Sequence, residues 1–270
     1  HSGMKPLWSS WPSLRRRIAS AEHLFLFLDY DGTLAPIANH PSKARLPART
    51  RRLLQQLARQ PGSCVALVSG RRLSDLKAMV RLPGLLYIGN HGLELQGPKL
   101  RYAHPGARVR RPLLKRIARL LKKTLQPIPE AWVEDKGLTL SIHYRSVPPG
   151  RAPLVRNILH EVVEPYLRKS QVWIAAGKRV FEVHPAVRWT KGTVVHWLLA
   201  RHLVAGEKRI LPIYIGDDQT DEDAFKALES EGLSIRVGRS EPSQAQYALS
   251  SPREVEKFLR RLLEMWKHTP

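Results

Sequence analysis

Two aspartates directly follow a predicted buried strand, where their carboxylates can take part in phosphoryl transfer. The string DYDGTL at Asp29–Leu34 comes immediately after the apolar run Leu24–Leu28. Ligands of open α/β sheets bind beyond the carboxyl ends of the strands, so this position indicates a ligand site. One carboxylate can attack phosphorus, and the second can act as general acid and then as general base. Aspartates also end many strands and Asp-Gly is a common turn, but this alternative explains one aspartate and Gly32 rather than the whole string.

An acidic segment, Gly216–Asp223, follows the predicted strand Ile210–Ile215. It contains five acidic residues in seven positions. Carboxylates at this density repel one another unless a cation lies among them. The segment does not match the EF-hand loop, because it lacks the turn glycine of that motif. We therefore expect a divalent cation at this end of the strand.

Helix capping is the alternative explanation for part of the acidic segment. Thr220 with Asp223 resembles a capping box, and acids from Asp221 onward would suit the first turn of a helix. Asp217 and Asp218 stand at the strand end, before that helix, and capping leaves them unexplained.

Ser69 and Lys191 add groups that suit a phosphate. Ser69-Gly70 ends the predicted strand Cys64–Val68, and its hydroxyl and backbone N–H can bind a phosphate oxygen. Lys191 stands at the start of a predicted helix, where the helix dipole disfavours a lysine unless an anion compensates for it. Ser-Gly is also a plain loop signal, and a solvated surface lysine is the default reading of Lys191.

The alternation of short apolar runs with amphipathic segments predicts an α/β fold with a mostly parallel sheet. The order and spacing of the predicted strands and helices change between about residues 106 and 186. This change predicts a core of 4–105 and 187–270 with 106–186 as an inserted cap domain. The predicted strands are Leu24–Leu28, Cys64–Val68, Leu85–Ile88, 131–135, 138–144, 171–175, 179–184 and Ile210–Ile215, and the predicted helices are 47–60, 72–80, 108–125, 152–167 and 191–203.

The composition is that of an ordinary globular protein except for its net charge of +22. This charge favours anionic ligands, but the basic residues are spread along the chain without a nucleic-acid-binding motif, so we expect no specific nucleic-acid partner.

The basic amphipathic segment 108–125 could lie on a membrane surface, although packing on a small sheet is the more ordinary interpretation. The single cysteine, Cys64, fits a reducing compartment, and no run reaches the roughly 18 apolar residues of a membrane span. We expect a cytoplasmic monomer.

In order, the four segments Asp29–Leu34, Ser69, Lys191 and Gly216–Asp221 resemble the motifs of haloacid dehalogenase-type phosphotransferases. The chain shows no P-loop, dinucleotide fingerprint, nucleophile elbow or H-E-x-x-H string, which disfavours the enzyme classes that carry them. The resemblance implies a haloacid dehalogenase-like Rossmannoid core with a parallel sheet plus an inserted α+β cap domain.

The same resemblance assigns roles to the residues of these motifs. Asp29 would be the nucleophile and Asp31 the general acid and base, while Ser69 and Lys191 would neutralise the transferring phosphoryl group. The implied cofactor is Mg²⁺, and its ligands would be Asp29, the backbone carbonyl of Asp31 and Asp217, with Asp218 or Asp221 in support.

From about Leu24 to Leu262, the chain more closely resembles the trehalose-6-phosphate phosphatases. The strings that carry this resemblance are GDDQTDEDAF at 216–225, Ser69–Arg71, Gly89–Glu94 and, in the cap, Val133–Gly137, His143–Arg145 and Gly177–Val183. The resemblance implies that substrate is bound by Arg71, Asn90, His91, Glu134, Lys136, Arg145, Lys178 and Glu182. Lys178 and Glu182 would lie on one face of one strand, at i and i+4.

The implied activity is magnesium-dependent hydrolysis of trehalose 6-phosphate to trehalose and phosphate through an aspartyl-phosphate. Two alternatives stay open: a capped phosphatase of another sugar phosphate, such as sucrose or glucosylglycerol phosphate, and a non-catalytic protein that binds polyanions. The expected partner is a small sugar phosphate, without a membrane. No synthase segment precedes the phosphatase motifs, so we expect a stand-alone phosphatase supplied by a separate synthase.

Overall fold

The computed structural model of the protein describes residues 3–238 and 242–267. The chain forms two compact units: one contains the described residues up to Tyr102 and from Trp189 onward, and the other is Ala103–Arg188. The predicted core range also covers 239–241 and 268–270, which lie outside the described residues. The predicted domain limits and their roles stay a prediction.

The described residues form thirteen β-strands and nine α-helices. The strands are β1 Lys5–Pro6, β2 His23–Asp29, β3 Ser63–Val68, β4 Leu86–Gly89, β5 Glu94–Gly97, β6 Leu100–Ala103, β7 Trp132–Asp135, β8 Leu140–His143, β9 Val172–Gly177, β10 Val180–Pro185, β11 Ile210–Gly216, β12 Leu233–Val237 and β13 Tyr247–Leu249. The helices are α1 Trp11–Ala19, α2 Ala48–Arg59, α3 Leu73–Val80, α4 Pro105–Val109, α5 Arg111–Thr124, α6 Ala152–Arg168, α7 Lys191–Val204, α8 Glu222–Ala227 and α9 Pro252–Trp266. Every predicted strand and helix overlaps one of these elements.

The first unit contains a nine-stranded sheet in the order β1-β13-β12-β11-β2-β3-β4-β5-β6. The strands from β1 to β4 in this order run parallel, whereas β5 is antiparallel to β4. The prediction of a mostly parallel α/β sheet is therefore confirmed. In the centre, β2 pairs with β11 on one side and with β3 on the other, so three carboxyl ends lie side by side.

The run Leu24–Leu28 of strand β2 is apolar because both faces of the strand are buried. Leu24, Leu26 and Leu28 belong to one apolar core, and Phe25 and Phe27 belong to another on the opposite face of the sheet. Helices α1, α2, α3 and α9 contribute to the first core, and α7 and α8 contribute to the second. Burial on both faces explains why the run does not alternate with polar residues.

The second unit is an antiparallel four-stranded sheet with two main helices packed on it. The strand order is β7-β8-β10-β9. Leu114, Ile117 and Leu121 of α5 are fully buried in a core with Val155 and Leu159 of α6. The interpretation of 108–125 as a helix packed on a small sheet is confirmed.

The predicted helix 108–125 differs from the structure at its N-terminal end. Residues before Arg110 form the separate helix α4, and α5 begins only at Arg111 with Pro112 in its first turn. Proline lacks the N–H and clashes with the carbonyl four residues earlier, so the two helices cannot be continuous through Pro112. None of the helices formed by residues 3–238 and 242–267 combines the length and the apolar character that crossing a membrane requires.

The reactivity of Cys64 on β3 tests whether this strand stays packed in the sheet in solution. Burial and the nearby carboxylate of Glu207 raise the pKa of its thiol to about 12. Because the thiolate is the reactive form, we expect Cys64 to be alkylated very slowly by iodoacetamide at pH 8 and rapidly after denaturation. Mass spectrometry of the labelled chain measures this, and equal native and denatured rates would contradict the packing of β3.

Candidate active site

The predicted phosphoryl-transfer residues lie at the carboxyl edge of the large sheet. Asp29 is the last residue of β2, Ser69 directly follows β3, and Asp217 directly follows β11. Lys191 is the first residue of α7, and all four side chains are buried. Parallel pairing of β11, β2 and β3 therefore brings together positions that are up to 188 residues apart in the sequence.

Lys191 joins two buried carboxylates. Its Nζ lies 3.1 Å from Asp29 Oδ1 and 2.7 Å from Asp221 Oδ1. Although burial lowers the pKa of Lys191, the carboxylates of Asp221 and Asp29 outweigh this effect and hold that pKa well above its ordinary value. The carboxylates of Asp29 and Asp221 are therefore the anions that compensate for a lysine at the start of a helix.

Asp29 lies in surroundings that disfavour its negative charge. Burial raises the pKa of Asp29 well above its ordinary value, and the carboxylate of Asp221 raises it further, whereas Lys191 opposes the shift. Thr33 Oγ1 donates a long hydrogen bond of 3.4 Å to Asp29 Oδ2. One lysine therefore does not fully balance the negative charge of this cluster, and a further cation would.

Asp221 accepts hydrogen bonds at both oxygens. Tyr214 donates its hydroxyl to Oδ1 over 2.7 Å, and the backbone N–H of Asp218 donates to Oδ2 over 3.0 Å. Burial, followed by the charge of Asp221, raises the pKa of Tyr214 well above its ordinary value, which keeps the hydroxyl protonated as a donor. Tyr214 was not predicted from the sequence, because it lies within an apolar strand.

The capping box of Thr220 with Asp223, the alternative explanation for part of the acidic segment, is not the one that the structure forms. The reciprocal contact at this helix start instead joins Asp218 with Asp221, two residues earlier in the sequence. Thr220 donates its hydroxyl to Asp218 over 3.4 Å. The turn Gln219–Asp221 is a 3₁₀ helix that begins before α8, and this places the cap at the end of β11.

The residues present fit a divalent cation. Asp29, Asp217 and Asp221 each offer a carboxylate oxygen, and these oxygens all lie within 4.8 Å of one another. Hard cations such as Mg²⁺ prefer oxygen ligands, often from carboxylates. The grouping contains Asp221 rather than Asp218. Gly32 makes room for it, because a Cβ at this position would lie 2.1 Å from Asp217 Oδ2.

Arg71 fixes Asp31 in a bidentate ion pair. Arg71 Nε donates to Asp31 Oδ2 over 2.8 Å, and Nη2 donates to Oδ1 over 2.7 Å. The guanidinium also donates to the carbonyl of Pro41, and the backbone N–H of Arg71 donates to Ser69 Oγ over 3.0 Å. Bidentate pairing fixes the direction of a carboxylate. The assignment of Arg71 to substrate binding stays a prediction.

Asn90 and His91 follow β4 in a 3₁₀ turn with left-handed backbone angles. Asn90 is fully buried, and its amide donates to Glu94 Oε1 over 2.7 Å. The same carboxylate accepts the backbone N–H of Leu73, the first residue of α3. Glu94 and Asn90 therefore hold the start of α3, and a contact of Asn90 or His91 with substrate stays a prediction.

In the second unit, the predicted sugar-binding residues fall into three polar groups. Lys136 Nζ lies 3.0 Å from Glu182 Oε1. Glu134 Oε2 lies 2.7 Å from His143 Nε2. Arg145 donates to the carbonyl of Lys178 over 3.3 Å.

Three residues that were not predicted as sugar-binding join these groups. Ser141 and His184 both contact Glu182, at 3.3 and 3.1 Å. The third, His143, belongs to a string that carries the family resemblance. Strand alternation explains all three, because Ser141 pairs with Glu182 across β8 and β10, and His143 and His184 lie two residues from these positions.

The predicted placement of Lys178 and Glu182 on one strand is wrong. Lys178 lies in the tight turn between β9, which ends at Gly177, and β10, which begins at Val180. Arg179 in this turn has a left-handed backbone with φ of 65°. A turn residue does not follow the alternation of the strand, so the i and i+4 argument does not apply.

The chain is similar to proteins of known family over nearly its whole length. Residues 27–253 match the family model described as trehalose-phosphatase. Trehalose-phosphate phosphatase B of Arabidopsis thaliana is 33% identical over 261 residues, covering 92% of this chain and 68% of that protein. Trehalose 6-phosphate phosphatase RA3 of Zea mays is 33% identical over 260 residues, covering 90% of this chain and 71% of that protein.

Solved structures share the fold. The C-terminal domain of the Candida albicans trehalose-6-phosphate phosphatase aligns with a TM-score of 0.84 and 23% identity, covering 97% of this chain and 99% of that one. A haloacid dehalogenase-like hydrolase from Bacteroides thetaiotaomicron aligns with a TM-score of 0.62 and 19% identity, covering 89% of this chain and 100% of that one. The fold is therefore haloacid dehalogenase-like. Because the family model spans most of its length, the chain belongs to the trehalose-phosphatase family. The predictions of fold class and family are confirmed.

Gly32 and Gly84 provide a matched pair of substitutions that tests the packing of Asp217. Both have positive φ, 81° and 80°, but a Cβ at Gly84 meets no atom within 4 Å. Either change to alanine costs about 1–3 kcal/mol through backbone strain. We expect Gly32→Ala in addition to lose most phosphate release, since its Cβ displaces the Asp217 carboxylate, whereas Gly84→Ala keeps its activity. Equal activities in the two folded variants would contradict this geometry.

Proposed function

We propose that this protein hydrolyses trehalose 6-phosphate to trehalose and phosphate with Asp29 as the nucleophile. The observation that carries the proposal is the buried group of Asp29, Lys191 and Asp221 at the sheet edge, next to Asp217. Membership of the trehalose-phosphatase family supports the substrate. Fixed charges of this kind are the main requirement of phosphoryl transfer, which depends on positioning and charge neutralisation.

In the first step, an oxygen of the Asp29 carboxylate bonds to phosphorus and the bond from phosphorus to the sugar oxygen breaks. Asp31 donates a proton to that leaving oxygen. In the second step, Asp31 accepts a proton from water, the water oxygen bonds to phosphorus, and the Asp29 carboxylate leaves. The ion pair with Arg71 fixes the direction of the Asp31 carboxylate, which suits its role as proton acceptor in the second step.

Lys191 and Ser69 are proposed to neutralise and hold the transferring phosphoryl group. Lys191 is placed for this by Asp221, whose carboxylate fixes its ammonium group. Bound Mg²⁺ would supply positive charge that balances the carboxylates and the phosphoryl oxygens. We propose Asp29, the carbonyl of Asp31 and Asp217 as its ligands, with Asp218 or Asp221 in support. The hydrogen bonds at both oxygens of Asp221 favour a role for it mainly through Lys191.

The second unit is proposed to recognise the sugar. Lys136 is buried and paired with Glu182, so both groups are held in place before substrate binds. Glu134, Arg145 and Lys178 of this unit offer further charged donors and acceptors. Asn90 and His91 are also proposed to bind the substrate. Charged groups form stronger hydrogen bonds to hydroxyls than neutral groups do, and rigid ones lose less entropy on binding.

Removal of the nucleophile tests the mechanism. We expect Asp29→Asn to abolish phosphate release from trehalose 6-phosphate while its circular dichroism spectrum stays that of the wild type. Chelation by EDTA should reduce the wild-type rate in the same way, and added Mg²⁺ should restore it. Asp75→Asn, on the exposed side of α3, is the control that keeps activity. Wild-type rates in Asp29→Asn would overturn the proposal.

A comparison of substrates tests the role of the second unit. We expect Lys136→Gln to raise KM for trehalose 6-phosphate by about 10-fold or more, as loss of a charged hydrogen bond does. Hydrolysis of p-nitrophenyl phosphate, which carries no sugar, should change little. The exposed Lys169→Gln is the control. A similar loss on both substrates would contradict sugar recognition by Lys136.

Selectivity for trehalose 6-phosphate is tested on the wild type alone. Equal wild-type rates on glucose 6-phosphate or sucrose 6-phosphate would contradict it.

A further inference from the structure

A buried ion pair lies next to the backbone of Asp217. Arg236 of β12 and Glu222, the first residue of α8, are 6% and 9% exposed, and Arg236 Nη1 donates to Glu222 Oε1. Glu222 lies within the acidic segment Gly216–Asp223, but the sequence assigned a role in the site to neither residue. Burial of two opposite charges carries a desolvation penalty of several kcal/mol per ion, so such a pair gives little net stability by itself. The location of the pair beside Asp217 therefore indicates a role other than stabilising the fold.

Arg236 connects this pair to the proposed metal site. Its Nη2 donates to the backbone carbonyl of Asp217 over 3.2 Å. This bond fixes the peptide group at the end of β11, and so it fixes the direction in which the Asp217 side chain leaves the backbone. The Asp217 carboxylate lies beside Asp29 and Asp221, while its backbone carbonyl accepts the hydrogen bond of Arg236.

Glu222 fixes Arg236 and also a third segment of the chain. Its carboxylate accepts the hydroxyl of Ser243 over 2.8 Å and the backbone N–H of Gln244 over 2.7 Å. The start of α8, strand β12 and the segment before β13 therefore meet at one carboxylate. The charge of Glu222 has a second consequence, because an unbalanced guanidinium beside Asp217 would oppose the binding of a cation there.

We propose that Glu222 and Arg236 are positioning residues that set the affinity of the Asp217 site for Mg²⁺. This inference rests on the proposed function, which makes Asp217 a ligand. The pair acts in two ways: Arg236 holds the Asp217 backbone, and Glu222 cancels the positive charge of Arg236 and holds its guanidinium in place. Outer contacts of metal ligands commonly change metal affinity by about 10–100-fold when they are mutated.

Calorimetric titration of Mg²⁺ into folded protein tests the proposal without using activity. We expect Arg236→Lys and Glu222→Gln each to bind Mg²⁺ about 10–100-fold more weakly than wild type. In rate measurements, both should need more Mg²⁺ for half-maximal activity but approach the wild-type kcat when Mg²⁺ is saturating. Arg51→Lys is the matched control, because Arg51 also donates to backbone carbonyls, those of Met79 and Val80 at the end of α3. It should lose stability but not Mg²⁺ affinity.

The outcomes separate this inference from the proposed function. If the wild type itself binds no Mg²⁺, the proposed metal site fails and the inference fails with it. If the wild type binds and both variants bind equally well, only the inference is wrong. Ser243→Ala removes one donor to Glu222 without leaving a lone buried charge, so it gives the same comparison if Glu222→Gln does not fold. Unchanged affinity in Ser243→Ala and Arg236→Lys would then contradict the proposal.

Discussion

The position of Lys191 between Asp29 and Asp221 is the interaction on which the rest of the site depends. A buried ammonium group needs opposite charge within hydrogen-bond distance, and removing one partner of such a group costs about 3–5 kcal/mol. Lys191 therefore requires β2, α7 and the turn after β11 to keep their relative positions. Tyr214 and the backbone of Asp218 complete the contacts of Asp221, so this carboxylate has little freedom to turn.

Close packing at the sheet edge imposes a second constraint on the same residues. A Cβ at Gly216 would lie 2.3 Å from Asp221 Cγ, just as one at Gly32 would meet Asp217. Glycine at these two positions lets both carboxylates approach the end of β2. The cluster thus gathers more negative charge than Lys191 balances, and burial together with Asp221 raises the pKa of Asp29. Binding of a cation would relieve this repulsion, which couples the proposed cofactor to the readiness of Asp29 to attack.

Local patterns in the sequence predicted the parts of the fold and site that depend on few residues. The run Leu24–Leu28 is apolar because both faces of β2 are buried, and this alone placed Asp29 at a strand end. The role of Tyr214 was missed because its hydroxyl contact depends on a turn seven residues later, within an otherwise apolar strand. Arg236 was missed for a related reason: a single arginine in a short strand gives no sign that a glutamate of another element balances it.

Trapping of the covalent intermediate is the sharpest test of Asp29 as the nucleophile. The wild type would be mixed with trehalose 6-phosphate and Mg²⁺, quenched with acid within one turnover, and digested for mass spectrometry. We predict a phosphoryl group on the peptide that contains Asp29, and fragmentation should place it on Asp29 itself. A phosphoryl group on Ser69 or another residue, or complete single turnover without any labelled peptide, would contradict it.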